Sequence, residues 1–217
     1  MTKYEKQILN VLLDKYEGSK SFIGTNRVNQ SFTCKVAQMF PKYKDDSEYE
    51  LFCAINEAVN TLVVQGFVTA KKMKNGVVQS VMLIVEAIEK VYEYLGRTPK
   101  SDTVSDLKRL LNLYKDDNII LYSYCNRQLE RLAANKSVEF FDDDLDVYES
   151  ILKVISKITE VKCETFERDF SIQVLGDSKA FEKVRSKVVS LLYEYGDFPD
   201  RETLLADLNI IKNPGHV

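Results

Sequence analysis

The dipeptide Asn75-Gly76 lies inside FVTAKKMKNGVVQSVMLIV, between two β-rich runs. Asn-Gly is a strong short hairpin signal, because both residues tolerate the positive φ that a tight turn between strands requires. The segment before it has a different period. Tyr49, Phe52, Ile55, Val59, Leu62 and Val63 recur at three- and four-residue steps, which predicts a long helix. Asp45, Asp46 and Ser47 offer capping oxygens at its start, and Gly66 ends it. Further upstream, Tyr4 to Tyr16 carries a broad helical stripe of Ile8, Leu9, Val11, Leu12 and Leu13, closed by Gly18. Ser19 to Asn29 is polar and irregular, and the alternation of Phe32, Cys34 and Val36 predicts a short strand before Phe40-Pro41.

Helix, strand, tight turn and strand is the layout of a winged-helix module, and equally of a plain hairpin packed on a helix. A short helix over Ala87 to Leu95 follows. Gly96-Arg97-Thr98-Pro99 then punctuates the chain, so two domains are expected, 1–98 and 99–217. In the second, Asp102, Ser105 and Asp106 suit a helix cap with the helix running through Tyr114. Asn118 to Ala134 and Leu145 to Ile158 read as further helices, the latter strongly amphipathic. Phe170-Ser171-Ile172-Gln173-Val174 alternates as a short strand would. Gly176 then permits a turn, and Asp177-Ser178 can cap a helix over Ser178 to Tyr195. A last short helix over Glu202 to Leu208 completes an α+β, mostly helical protein.

The 217 residues are 45% hydrophobic, enough to bury a core in one or two domains. No apolar run approaches 18 residues, and MTKYEKQILNVLL carries charges where a signal peptide would be apolar, so a soluble cytoplasmic protein is expected. Cys34, Cys53, Cys125 and Cys163 are widely spaced and the single histidine is His216, which argues against zinc and for reduced thiols. Charge is uneven. Residues 1–100 hold 14 Lys and Arg against 11 Asp and Glu, whereas 101–217 hold 16 against 22. Any nucleic-acid contact is therefore expected in the first half. Lys71, Lys72 and Lys74 lie at the expected hairpin tip, with no acid between Thr61 and Val85. Lysines there would meet phosphates without reading sequence, or would simply keep a hairpin tip solvated. Arg27, Lys35, Lys42 and Lys44 could extend such a face.

The stretch RDFSIQVLGDSKAFEK, Arg168 to Lys183, resembles the segment before the catalytic domain in the JetD nuclease subunits of Wadjet anti-plasmid systems. In that family an arginine-led strand runs into a turn that Asp177, Ser178, Lys179, Phe181 and Glu182 match here, with Ala180 as an added residue. ILNVLLDKYEGSK, FTCKVAQMFPKY and LNIIKNPGHV are similar to the smaller members of the family, so the resemblance covers nearly the whole chain. It implies a winged-helix-like arm and a helical CAP-like domain with a strand-turn-helix unit, ending at Val217 about where a Toprim domain would begin. It further implies Arg168 and Lys179 as DNA-backbone contacts, duplex DNA and SMC-type subunits as partners, and a possible homodimer. Mg²⁺ is implied only for the catalytic domain. The structural alternative is an ordinary capped turn, with Arg168 paired to an acid and Lys179 solvated.

Asp142, Asp143, Asp144 and Asp146, with Glu139 near, invite a metal reading, since Mg²⁺ is held by paired carboxylates. Toprim-type sites, however, place their DxD at the end of an apolar strand. Here the acids directly precede the Leu145 helix, whose N-terminus negative charge complements. No catalytic or metal residue is assigned, and His216 is too close to the terminus for a triad. The JetD family resembles type IIB topoisomerase A subunits, which attack DNA with a tyrosine, but does not depend on that residue. Tyr122, Tyr124 and Tyr148 read as packing residues with hydroxyls at the surface. The expected role is DNA engagement and partner docking without chemistry of its own. A winged-helix transcriptional regulator, or an interaction module with no DNA role, is the alternative. The helix before the hairpin exposes no arginine to read base edges, which weakens the regulator.

Overall fold

Thr2 opens the first helix with a reciprocal cap. Its hydroxyl accepts from the Glu5 N–H at 3.2 Å, and the Glu5 carboxylate accepts from the Thr2 N–H at 3.0 Å. The computed structural model describes residues 1–24 and 30–212, so Arg27 and His216 lie outside the described residues. Two units emerge, Met1–Asp102 and Thr103–Val217, each with its own hydrophobic core.

The first unit runs α1 (Lys3–Glu17), β1 (Thr33–Lys35), α2 (Val36–Met39), a 3-10 turn (Pro41–Lys44), α3 (Tyr49–Val64), β2 (Val68–Lys72), β3 (Val78–Leu83) and α4 (Ile88–Leu95). The three strands form an antiparallel sheet in the order β1-β3-β2. Cys34, Val68, Val78, Val81 and Leu83 share one buried cluster with Ile8, Leu12, Ile55 and Leu62 from α1 and α3. Asp45 does not cap α3 as expected. Its carboxylate accepts from the Ser47 N–H at 3.0 Å and the Ser47 hydroxyl at 2.7 Å, so it closes a local turn and leaves α3 to begin at Tyr49. Glu17 is buried at the end of α1. It accepts from Tyr92 at 2.7 Å and from Arg97 at 2.6 Å, and Arg97 also bridges Asp14 at 2.8 Å.

The second unit holds α6 (Ile119–Ala133), α7 (Leu145–Ile158), β4 (Thr165–Phe166), α8 (Glu167–Leu175), α9 (Ala180–Tyr195), α10 (Leu204–Asp207) and β5 (Ile210–Ile211). It is entered by α5 (Lys100–Tyr114). That helix starts one residue past Pro99, so Asp102, Ser105 and Asp106 lie within it instead of capping it. Asn118 caps α6, accepting from the Leu121 N–H at 3.0 Å while its amide donates to the Ile155 carbonyl of α7 at 3.0 Å. β4 and β5 form a short parallel bridge that the sequence did not announce.

The expected strand over Phe170 to Val174 is a helix, α8, and the strand-turn-helix unit is therefore two helices joined by a turn. Phe170 and Val174 are four residues apart, so the same apolar pair fits one helical face. Phe170 is buried while Ile172 is 52% exposed, the opposite of what a one-faced strand would show. Glu167 and Asp169 supply negative charge to the first turn, and Gly176 at φ 76° ends the helix in the left-handed region. α7 packs on both α8 and α9.

Candidate nucleic-acid interface

The hairpin turn is a three-residue loop, Lys74 to Gly76. The Met73 N–H donates to the Val77 carbonyl at 2.8 Å and the Gly76 N–H to the Met73 carbonyl at 3.0 Å, with Gly76 at φ 81°. Only Lys74 of the three expected lysines lies in the turn. Lys71 and Lys72 are the last residues of β2, and the strand register shifts between them. Lys71 pairs with Ser80, whereas Lys72 pairs with the buried Val78. The two ammonium groups therefore leave opposite faces of the sheet. Lys72 reaches back to α3 and donates to Asn60 Oδ1 at 2.7 Å. The three lysines thus do not form one cluster. Of the other basic residues, Lys35 ends β1 and Lys42 pairs with Glu48 at 3.3 Å. Lys44 lines a depression of about 390 Å³ shared with Asp45 and Asp46.

In the second unit, Arg168 stands on the exposed side of α8 and Lys179 is the exposed residue that precedes α9. Arg168 lines a depression of about 400 Å³ with Glu167, Ser178, Glu182, Arg185 and Lys212, of which Lys179 is not a part. An adjoining depression of about 520 Å³ shares Arg185 and Lys212 and adds Arg201. Arg185 is bridged to Glu167 at 2.9 Å, and Arg201 donates to the Ser190 hydroxyl. Sequence reasoning missed Arg185, Arg201 and Lys212, because only the fold brings α8, α9 and the chain after β5 together. The Asp177 carboxylate accepts from the Lys179 N–H at 2.6 Å, a turn contact. The bond into α9 comes from elsewhere. Buried Ser171 accepts from the Phe181 N–H at 2.9 Å and donates to the Asp177 carbonyl.

The acidic run behaves as a helix start. Asp144 caps α7, accepting from the Val147 N–H at 3.0 Å, and Asp142 pairs with Lys187. Among the described residues no group of three or more His, Cys, Asp or Glu is arranged to hold a metal ion. Tyr124 and Tyr148 depart from expectation, because their hydroxyls are buried and 2.9 Å apart. Tyr124 also donates to the Glu139 carbonyl at 2.6 Å. Burial pushes both phenols well above their ordinary range, reinforced at Tyr124 by its neighbours and partly offset at Tyr148 by its hydrogen bond with Tyr124, so neither is a nucleophile near neutral pH. Tyr122 is 53% exposed, as expected. Burial acts to raise the Glu139 carboxyl, but hydrogen bonds from Tyr195 (2.6 Å) and Gln128 (2.8 Å), with Arg127 and Arg131 beside it, hold it below the usual carboxylate range. These groups order the loop before α7 and offer no open reactive atom.

Among the described residues no helix is long and apolar enough to cross a membrane. The chain is similar to Wadjet protein JetD of Bacillus cereus (strain Q1), at 25% identity over 224 residues. The match covers 97% of this chain and 54% of that protein, so the chain spans about half the length of the curated relative it matches. No family model matches, and no solved structure matches. Nearly the whole chain is thus JetD-like in sequence.

Proposed function

We propose that this JetD-like chain serves a Wadjet-type plasmid-defence system by engaging duplex DNA and docking partner subunits, with no catalytic chemistry of its own. The observation that carries the reading is the similarity to a Wadjet protein along 97% of the chain. Two features support its DNA half. The hairpin holds three lysines with no acid from Thr61 to Val85, and among the described residues α1, the short α2 and α3 precede that hairpin, which fits a winged-helix-like arm. Lys71, Lys72 and Lys74 are the proposed contacts in the first unit, and Arg168 and Lys179 in the second. Such contacts are to phosphates, so binding is independent of sequence and falls steeply with salt. Partner docking, to SMC-type subunits or a second copy, is assigned to the acidic second unit. The reading asks for no metal held by these residues; Mg²⁺ would serve the catalytic part of longer relatives. The test is duplex binding by the purified chain. Changing Lys71, Lys72 and Lys74 together to Glu should weaken binding and lower its salt dependence. An unaltered chain that binds no duplex at low salt ends the DNA reading and leaves a protein-interaction module.

A further inference from the structure

The strand register places Lys35 of β1, Ser80 of β3 and Lys71 of β2 opposite one another in one row across the sheet. The next row on the same face is Thr33, Met82 and Thr69. Between the two rows, Cys34, Val81 and Ala70 turn the other way, into or against the core of the first unit. The outward face therefore presents two ammonium groups, three hydroxyls, one thioether and no carboxylate. Lys35, Lys71 and Thr69 are exposed, and Met82 is 37% exposed. Adjacent strands lie about 4.8 Å apart, so the two lysine α-carbons are about 10 Å apart with the Ser80 hydroxyl between them.

We propose that this outer sheet face is a seat for a nucleic-acid phosphodiester backbone, with Lys35 and Lys71 each meeting a phosphate and Ser80 donating between them. The proposal rests on the DNA role above and relocates its centre from the hairpin tip to the sheet. A backbone needs cations and hydroxyl donors at intervals on an open surface. A peptide is bound through pockets for alternate side chains, whereas the lysines and hydroxyls of these two rows suit the repeated charge of a backbone. Lys72 is excluded from the seat, because it leaves the opposite face and is engaged with Asn60.

The test compares two double variants of the full chain by fluorescence anisotropy with a short random duplex, over a series of salt concentrations. Lys35→Glu with Lys71→Glu should weaken binding by roughly tenfold or more and lower the log–log salt slope by about 1.8, two phosphate contacts' worth. Lys72→Glu with Lys74→Glu should change both far less. Lys35→Gln with Lys71→Gln, which adds no negative charge, should move affinity and slope the same way, and matching thermal melts show that each variant is folded. If the Lys72 and Lys74 pair carries the loss and the Lys35 and Lys71 pair does not, the seat is wrong while the DNA role stands. If polyglutamate of equal charge competes as well as duplex, the face is a general acidic-peptide surface and the proposal falls. If the unaltered chain binds no duplex, both readings fall together.

Discussion

The two units hold their exposed cations in different company. On the sheet face of the first unit, Lys35 and Lys71 stand beside the Ser80 hydroxyl, and the next row of Thr33, Met82 and Thr69 carries no carboxylate. On the α8–α9 corner of the second, the cations stand among acids. Arg185 is bridged to Glu167, and Glu167 and Glu182 line the same depression as Arg168. A phosphate approaching these two rows meets lysines and hydroxyls, whereas at the corner it also meets carboxylates that repel it or compete for the arginines. The difference teaches that a count of basic residues is a poor guide to an anion site. The first unit should dominate any DNA affinity, and the corner should act first on stability.

That contrast can be broken in order of effect. Phe181 meets Phe170 edge-on at 5.6 Å beneath the corner, so Phe181→Ala should cost the second unit about 3–5 kcal/mol. Urea unfolding reads this, and a loss below about 1 kcal/mol would show that the corner does not rest on that core. Ser171→Ala deprives the Phe181 N–H of its acceptor and should cost about 1–3 kcal/mol. Acid sharpens the contrast through Glu139. Its carboxyl is held below the ordinary value of 4.5 in the fold, so the unfolded chain takes up protons first as pH falls. The stabilisation is whole above that value and is lost as pH falls through the lower folded pKa. Glu139→Gln should flatten this loss in melts taken between about pH 5 and pH 3. The smallest effects lie on the surface. Arg168→Ala and Lys179→Ala should each shift stability by less than about 1 kcal/mol, and weaken duplex binding less than the lysine changes on the sheet. An equal or greater loss of binding would put the corner on a par with the sheet.

The helices with long, regular apolar steps were legible in sequence. Leu145–Ile158 falls where its amphipathic stripe ends, and α6 spans nearly the predicted Asn118 to Ala134, with Asn118 turning out to be its cap. The hairpin was equally legible from Asn75-Gly76, because the turn chemistry is local. Five alternating residues from Phe170 could not separate strand from helix. Acids at 167 and 169 and the glycine at 176 were the better guide, and the resemblance to an arginine-led strand drew the reading away from them. The site was less legible than the fold. Which face Lys71 and Lys72 take depends on a register shift between neighbours, and the Lys35–Ser80–Lys71 row depends on pairing across 45 residues. The interior hydroxyls of Tyr124 and Tyr148 came from packing between α6 and α7, which no spacing along the chain reveals.

The carboxylate of Glu17 is settled by Tyr92 and Arg97, 75 and 80 residues further on, and Lys100, 83 residues on, donates to its backbone carbonyl. On the ribosome this separation becomes a waiting time. At roughly 5–20 residues per second, α1 leaves the exit tunnel about 4–16 s before the groups that cover its last turn leave it. During that interval Glu17 stays hydrated and the apolar stripe of α1 has only part of its core to lie against. Closure of the first unit is thus timed by its own last residues, and a nascent chain paused short of Arg97 would be a substrate for chaperones and proteases.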